Sequence, residues 1–251
     1  MENLNYLSDF YENRHKNTEY SANLILSLLV ERIPSIRSAI DIGCGVGTWL
    51  AALKEKGVQN IHGIDGNWVD KNYLVIPQNC FTQVDIMSMV IDKSLRYDLA
   101  ISLEVAEHLP IEFAKDFVFL LTELSDNVLF SAAIPFQGGQ NHINEQWQHY
   151  WVNLFNAHKY DVIDFIRPII WTDKNIPFWY KQNILFFCKR NKSQDASLKS
   201  YAIDDYNISL DLIHPDLYLL KSNVKIGIRG SFKLLYNSIR DFISMKLRRY
   251  G

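Results

Sequence analysis

The run Ala39-Ile-Asp-Ile-Gly-Cys-Gly-Val-Gly-Thr48 constrains this chain more than any other stretch. Residues 38–42 are apolar enough to read as a buried strand, and 48–56, closed by Gly57, carry helical spacing. Between them Gly43, Gly45 and Gly47 stand at every second position. Glycine lets the backbone turn tightly and approach a ligand with no Cβ in the way. The helix that follows offers unpaired N–H groups at its start. The spacing is G-x-G-x-G after Asp41, not the G-x-G-x-x-G that sets a pyrophosphate on a helix N-terminus. It suits a cofactor that lacks a pyrophosphate.

Helical and strand patterns alternate along the rest of the chain. Thr18 can cap a helix with Leu24, Ile25, Leu28 and Leu29 at helical spacing, ended by Pro34. Strands are expected over 60–64, 80–84, 97–103, 127–134, 160–166 and 184–188, with helices over 111–124 and 144–157. This predicts an α/β fold: a doubly wound, seven-stranded, mostly parallel sheet with helices on both faces. It would occupy 1–190, with a helical lid or cap over 1–35. Residues 189–200 (KRNKSQDASLKS) are polar and unpatterned, so 191–251 read as a linker and a C-terminal helical extension.

With these elements the chain resembles the class I, Rossmann-like S-adenosylmethionine (SAM)-dependent methyltransferases of the type-11-like group. In that family D-x-G-x-G-x-G cradles the methionine part of SAM. Three further motifs follow in the family's order. Asp65-Gly66 ends the second strand, where a carboxylate accepts both ribose hydroxyls. Asp85-Ile86 matches the adenine position, the acid taking the exocyclic amine and the apolar neighbour covering the ring. Residues 97–104 (YDLAISLE), with Leu103, match the fourth-strand motif that closes the site. The resemblance thus implies SAM as cofactor, held by Asp41, Gly43, Cys44, Gly45, Gly47, Asp65, Gly66, Asp85, Ile86 and Leu103. Tyr11, Arg14 and His15 precede the first helix. They are either a lid in which Arg14 meets the SAM carboxylate or a solvated helix end.

The acceptor side follows the fourth strand as Glu104-Val-Ala-Glu107-His108. On a helical turn all three ionisable groups would project from one face. Gly138-Gly139 and His142 follow the fifth strand, which should neighbour the fourth, so His142 could meet that face. Two carboxylates and two imidazoles (Glu104, Glu107, His108 and His142) suit Mg²⁺ or Mn²⁺ with positions left for substrate oxygens. The E-x-x-E-H pattern resembles metal-assisted O-methyltransferases, including ubiquinone-biosynthesis enzymes and those that methylate the terminal ribose of small RNAs. It also resembles type-11-like enzymes without a metal. The alternative is therefore His142 or His108 as general base, with Glu107 beside them.

Residues 147–180 hold ten of the chain's 33 aromatic side chains. Trp147, Tyr150, Trp151 and Phe155 recur at helical spacing and read as core. Trp171 and Trp179 flank a polar, turn-like stretch and could stack on sugar faces. The run from Gly138 to Trp147, with the C-terminal extension, resembles methyltransferases of bacterial surface-glycan biosynthesis. That resemblance implies O-methylation of a sugar hydroxyl on a nucleotide-sugar or polysaccharide. The alternatives are 2′-O-methylation of a terminal RNA ribose, another small-molecule acceptor, or a catalytically silent SAM-binding partner module.

Charge weighs on partners. The net charge of −2 speaks against uniform capture of nucleic acid. That total conceals an asymmetry: residues 225–251 carry seven Lys or Arg against Asp241 alone, a balance of +6 that leaves −8 on the rest. Phe232, Leu235, Ile239, Phe242, Ile243 and Leu247 make this tail a basic amphipathic pattern. It fits peripheral contact with an anionic membrane, packing on the catalytic domain, or a homodimer contact. Cys44, Cys80 and Cys188 form no C-x-x-C pair, and no secretory signal opens the chain. A cytoplasmic protein is expected, peripheral at most to the inner face of the membrane.

Overall fold

The strands are short and almost uniformly apolar, which suits a sheet covered on both faces. In the computed structural model, residues 18–89, 95–192, 198, 210–222, 235, 236 and 240 are described. Seven strands form one sheet: β1 (Ser38–Ile42), β2 (Asn60–Asp65), β3 (Phe81–Gln83), β4 (Leu99–Leu103), β5 (Asn127–Ser131), β6 (Tyr160–Ile163) and β7 (Leu185–Lys189). Their order is β3-β2-β1-β4-β5-β7-β6, with β7 alone antiparallel to its neighbours. The expected sheet is thus present, and the order reverses between β1 and β4. Crevices at such a switch point, outside the carboxyl ends of the strands, are where ligands bind in open α/β sheets.

The two-residue strand period builds two cores. Ala39, Leu99, Ile101 and Phe186 face one side, packed with Ala22, Ile25, Leu26 and Leu29 of the helix α1 (18–32) and with Leu50 and Leu53 of α2 (Thr48–Glu55). Ile40, Ile42, Ala100 and Phe187 face the other, against Phe117, Val118 and Leu121 of α3 (Ala114–Leu124) and Trp151 and Phe155 of α4 (Gln148–Ala157). Phe155 stacks on Phe187 with centroids 3.9 Å apart. Trp151 and Phe155 are therefore core, as their spacing predicts.

Several boundaries differ from expectation, each for a tertiary reason. β5 stops at Ser131 instead of 134, because Ser131 turns its carbonyl and hydroxyl to the Glu104 N–H (3.0 and 3.1 Å). Helix α4 begins at Gln148 and not at 144. The N–H groups of Asn144 and Gln146 are taken by Glu107 and Ala133 carbonyls, which holds that stretch extended. Ile111–Phe113 form a 3₁₀ turn ahead of α3. β6 ends at Ile163, and two short helices, α5 (Ile166–Ile170) and α6 (Phe178–Asn183), flank residues 171–177, which form turns and bends as expected.

The first compact unit runs to His214. The described part of the second contains α7 (Pro215–Ser222), with Tyr218, Leu219 and Leu220 exposed. Tyr11, Arg14 and His15 lie outside the described residues, as does most of the amphipathic pattern over 232–247. Among the described residues no helix is long and apolar enough to cross a membrane.

Candidate functional site

The cofactor half is built on the glycine turn. Gly43 and Gly47 have φ of +84° and +88°, in the left-handed region. Space forbids a side chain as well: a Cβ would lie 2.3 Å from Val105 Cγ2 at Gly43 and 2.7 Å from Ile76 Cγ1 at Gly47. The turn is fastened to β2, where Gly43 and Cys44 donate to the Ile64 carbonyl (2.7 and 3.1 Å). Asp65 completes the attachment: its Oδ2 accepts from Gly45 N–H (2.6 Å) and its Oδ1 from Gly66 N–H (2.7 Å).

Asp41, at the end of β1, is buried, and its Oδ2 has no hydrogen-bond partner. Burial, then the nearby Asp65 charge, pushes its carboxyl well above the usual range. The same burial, with Asp41 and Asp65, raises the Cys44 thiol, so Cys44 packs as an inert small residue. Asp85 is exposed and caps the 3₁₀ turn Ile86–Ser88 through Met87 N–H (3.0 Å), while Ile86 is buried. Leu103 is buried at the end of β4. Trp68, which motif reading overlooks, lies with its ring against Gly66, where a Cβ would come within 2.2 Å of it. Trp68 remains 66% exposed.

The acceptor half joins the loops after β4 and β5. Glu104 does not open a helical turn: its φ is +56°, rare for a side-chain-bearing residue and a mark of local strain. Only Ala106–His108 coil, as 3₁₀, so the three groups do not share one helix face. The Glu104 carboxylate accepts from Asn183 Nδ2 (3.0 Å to Oε1) and Gln137 Nε2 (3.1 Å to Oε2). Glu107 is fully buried and neither of its carboxyl oxygens has a hydrogen-bond partner. Burial, then the Glu104 carboxyl, holds it well above the usual carboxylate range.

The β5 loop folds over this turn. Ile143 and Asn144 donate backbone N–H to the Glu107 carbonyl (2.9 and 3.0 Å), and His108 Nδ1 lies 3.3 Å from the Asn141 carbonyl. His142 is thereby set edge-on to His108. One ligand atom each from Glu107, His108 and His142 lie within 4.8 Å of one another. Glu104 stands outside this group, committed to its two amides. His142 is fixed by Glu145, whose Oε1 lies 3.0 Å from Nδ1. Glu145 also accepts from Phe136 N–H (2.8 Å) and Gly138 N–H (2.7 Å), stapling the loop. Gly139 leaves room for the imidazole, since a Cβ there would lie 2.1 Å from Nε2.

Sequence reasoning missed Glu145, Gln137, Gln182 and Asn183. Only Glu145 carried a signal, three residues after His142 in the same polar run. Of the two tryptophans, Trp171 packs against His214 with centroids 4.7 Å apart, whereas Trp179 is exposed beside Phe178 and Tyr180.

A glycine turn pinned to an acid at the end of β2, below the switch point of a 3-2-1-4-5-7-6 sheet, defines a class I methyltransferase architecture. A family model described as a methyltransferase domain matches residues 13–167, and the chain belongs to that family; it is a SAM-dependent methyltransferase. No curated protein matches the sequence significantly. Among solved structures, the chain is similar to magnesium protoporphyrin IX methyltransferase (ChlM) from Synechocystis PCC 6803 with bound SAH. That likeness has a TM-score of 0.51 at 16% identity, over 69% of this chain and 84% of that one. An O-methyltransferase family protein from Burkholderia thailandensis gives 0.53 at 10%, over 72% and 58%. The plantazolicin methyltransferase BpumL, in complex with a monoazolic desmethylPZN analog and SAH, gives 0.51 at 14%, over 74% and 89%. At these identities the likeness concerns the fold.

Proposed function

We propose that the protein transfers the methyl group of SAM to a hydroxyl oxygen of a sugar-containing small molecule or glycan. The observation that carries this reading is the buried, unpartnered Glu107 carboxyl set against His108 and His142. An oxygen acceptor must lose a proton as it attacks, and this cluster is the place for that chemistry. SAM, when bound, supplies an activated methyl. The residues fit it: a Cβ-free turn after β1, an unpartnered Asp41 oxygen, and the Asp65 carboxylate at the end of β2, assigned to the ribose hydroxyls. Asp85 and Ile86 are assigned to the adenine, and Arg14 to the SAM carboxylate. Exposed Trp179 supports a sugar face in the acceptor.

Glu107, His108 and His142 would hold a divalent cation, and two imidazoles favour Mn²⁺ over Mg²⁺. The cation would lower the pKa of an acceptor hydroxyl. Its fit rests on the donor set and on the orphaned Glu107 oxygens. A second reading needs no metal: the Glu145–His142 contact commits Nδ1 and leaves Nε2 to take the acceptor's proton. The three free cysteines support a reducing, cytoplasmic setting. The basic C-terminal segment would anchor the enzyme to an anionic membrane or to a second copy, which liposome flotation and solution mass separate.

A screen of nucleotide-sugars, reading SAH release and product mass, tests the acceptor. A 14 Da gain on a sugar is expected; turnover confined to sugar-free acceptors overturns it. Loss of turnover in EDTA with recovery in Mn²⁺ selects the metal reading, and indifference to chelator selects the His142 base.

A further inference from the structure

We propose that Gln182 is a positioning residue that makes the acceptor half of the site depend on residues 210–214, a segment beyond the family match and beyond the last strand. Gln182 sits at the centre of a buried chain of amides. Its Oε1 accepts from the His214 main-chain N–H (2.8 Å). Its Nε2 donates to Gln137 Oε1 (3.1 Å) and Asn183 Oδ1 (2.9 Å). Gln137 and Asn183 are the two residues whose amides hold the Glu104 carboxylate. A continuous relay thus runs from the backbone of residue 214 to Glu104, which sits on strained backbone directly after β4.

The segment itself is seated by conspicuous bonds. Arg167, buried and ion-paired with Asp164, donates from Nη1 to the Leu210 carbonyl (2.9 Å), and Gln148 Nε2 donates to the Leu212 carbonyl (3.1 Å). The same two side chains also donate to the Gln182 carbonyl. Asp211 accepts from His149 N–H (2.9 Å), supplying from afar the cap that the start of α4 lacks, and pairs with the His149 ring. Burying an unsatisfied amide is costly, whereas apolar side chains of the same shape could fill the space without that liability. Polarity here has a use beyond filling: it orients Glu104 and the β5 loop through Gln137.

Hydrogen exchange on the full chain tests this without reference to any acceptor, so its failure would leave the sugar reading untouched. Gln182→Met keeps the volume and removes the relay. His214→Pro removes the main-chain N–H, and His214→Ala keeps it. The first two are expected to speed exchange over 102–109 and 135–147 about tenfold or more, with exchange over 39–48 and 60–69 and the SAH Kd within twofold of wild type. His214→Ala should retain wild-type exchange in the acceptor loops. With any acceptor turned over, kcat should fall in Gln182→Met while KM for SAM holds. Unchanged exchange over 102–109 in Gln182→Met overturns the proposal. So does loosening spread across the glycine turn with loss of SAH binding, which would mark a merely structural role.

Discussion

The imidazoles of His108 and His142 meet edge to face, centroids 4.9 Å apart, although they come from loops after different strands. What holds His142 there is Glu145, through Nδ1. A carboxylate behind a working histidine sets its tautomer and orientation, and removing such a partner costs about 10–100-fold in metal affinity or activity. Glu145→Gln should lower kcat within that range while the SAH affinity stays at wild type. Calorimetry with SAH and initial rates of SAH release separate the two; an unchanged kcat removes Glu145 from the mechanism.

Glu107 makes stability depend on pH. Its folded-state pKa is raised by burial and by Glu104, whereas an unfolded glutamate titrates near about 4.3. Between those values the folded state binds the extra proton. Its contribution is therefore whole below about pH 4 and falls as pH rises toward the folded pKa. Asp41 acts in the same direction. Glu107→Gln should stabilise the cofactor-free protein increasingly as pH rises from about 4.3 toward the folded-state pKa, by up to about 1.4 kcal/mol per pH unit. Urea melts in EDTA at three pH values check this, and parallel wild-type and variant profiles would contradict it.

Two glycines should separate the halves of the site. Gly47→Ala places a Cβ 2.7 Å from Ile76 at a φ of +88°, and should cost about 1–3 kcal/mol of stability and weaken SAH binding. Gly139→Ala displaces the His142 ring instead. It should abolish turnover with SAH binding intact. Melting curves with and without SAH, alongside activity, distinguish these patterns.

Asp65→Asn tests the anchor of the turn. The change weakens the bond from Gly45 N–H and would remove the charge that the proposed ribose contact needs. Hydrogen bonds to charged groups contribute about 1.5–3 kcal/mol, so the SAH Kd should rise roughly 10–100-fold. Titration calorimetry reads it directly, and a Kd within twofold of wild type would falsify the assignment.

The tryptophans should behave differently although both flank the same segment. Trp171 packs against His214 and its carbonyl takes the His214 ring nitrogen (2.9 Å). Trp171→Ala should therefore lower Tm by several degrees, as the loss of about 1–3 kcal/mol implies. Trp179→Ala, at an exposed position, should leave Tm within a degree and raise only the acceptor KM.

By itself the sequence determined the architecture and the cofactor's identity. Gly43, Gly45 and Gly47 impose a backbone that few other residues accept, and the apolar period of each strand states which faces are covered. These are local signals, written within a few residues of where they act, so Asp41 and Asp65 could be placed near the ends of β1 and β2 from the pattern, while Asp85 was placed by the resemblance to the family's motifs. Only the tertiary structure decided the acceptor half. Glu104, Glu107 and His108 were visible as a motif, but their division into an amide-held carboxylate and a buried acid beside two imidazoles came from Gln137, Asn183 and Glu145. Nor did any pattern announce that residues 210–214 reach back to Gln182. A buried amide has no periodicity and its partner lies far along the chain. Its role exists only once folding has removed both groups from water and left each with the other to satisfy it.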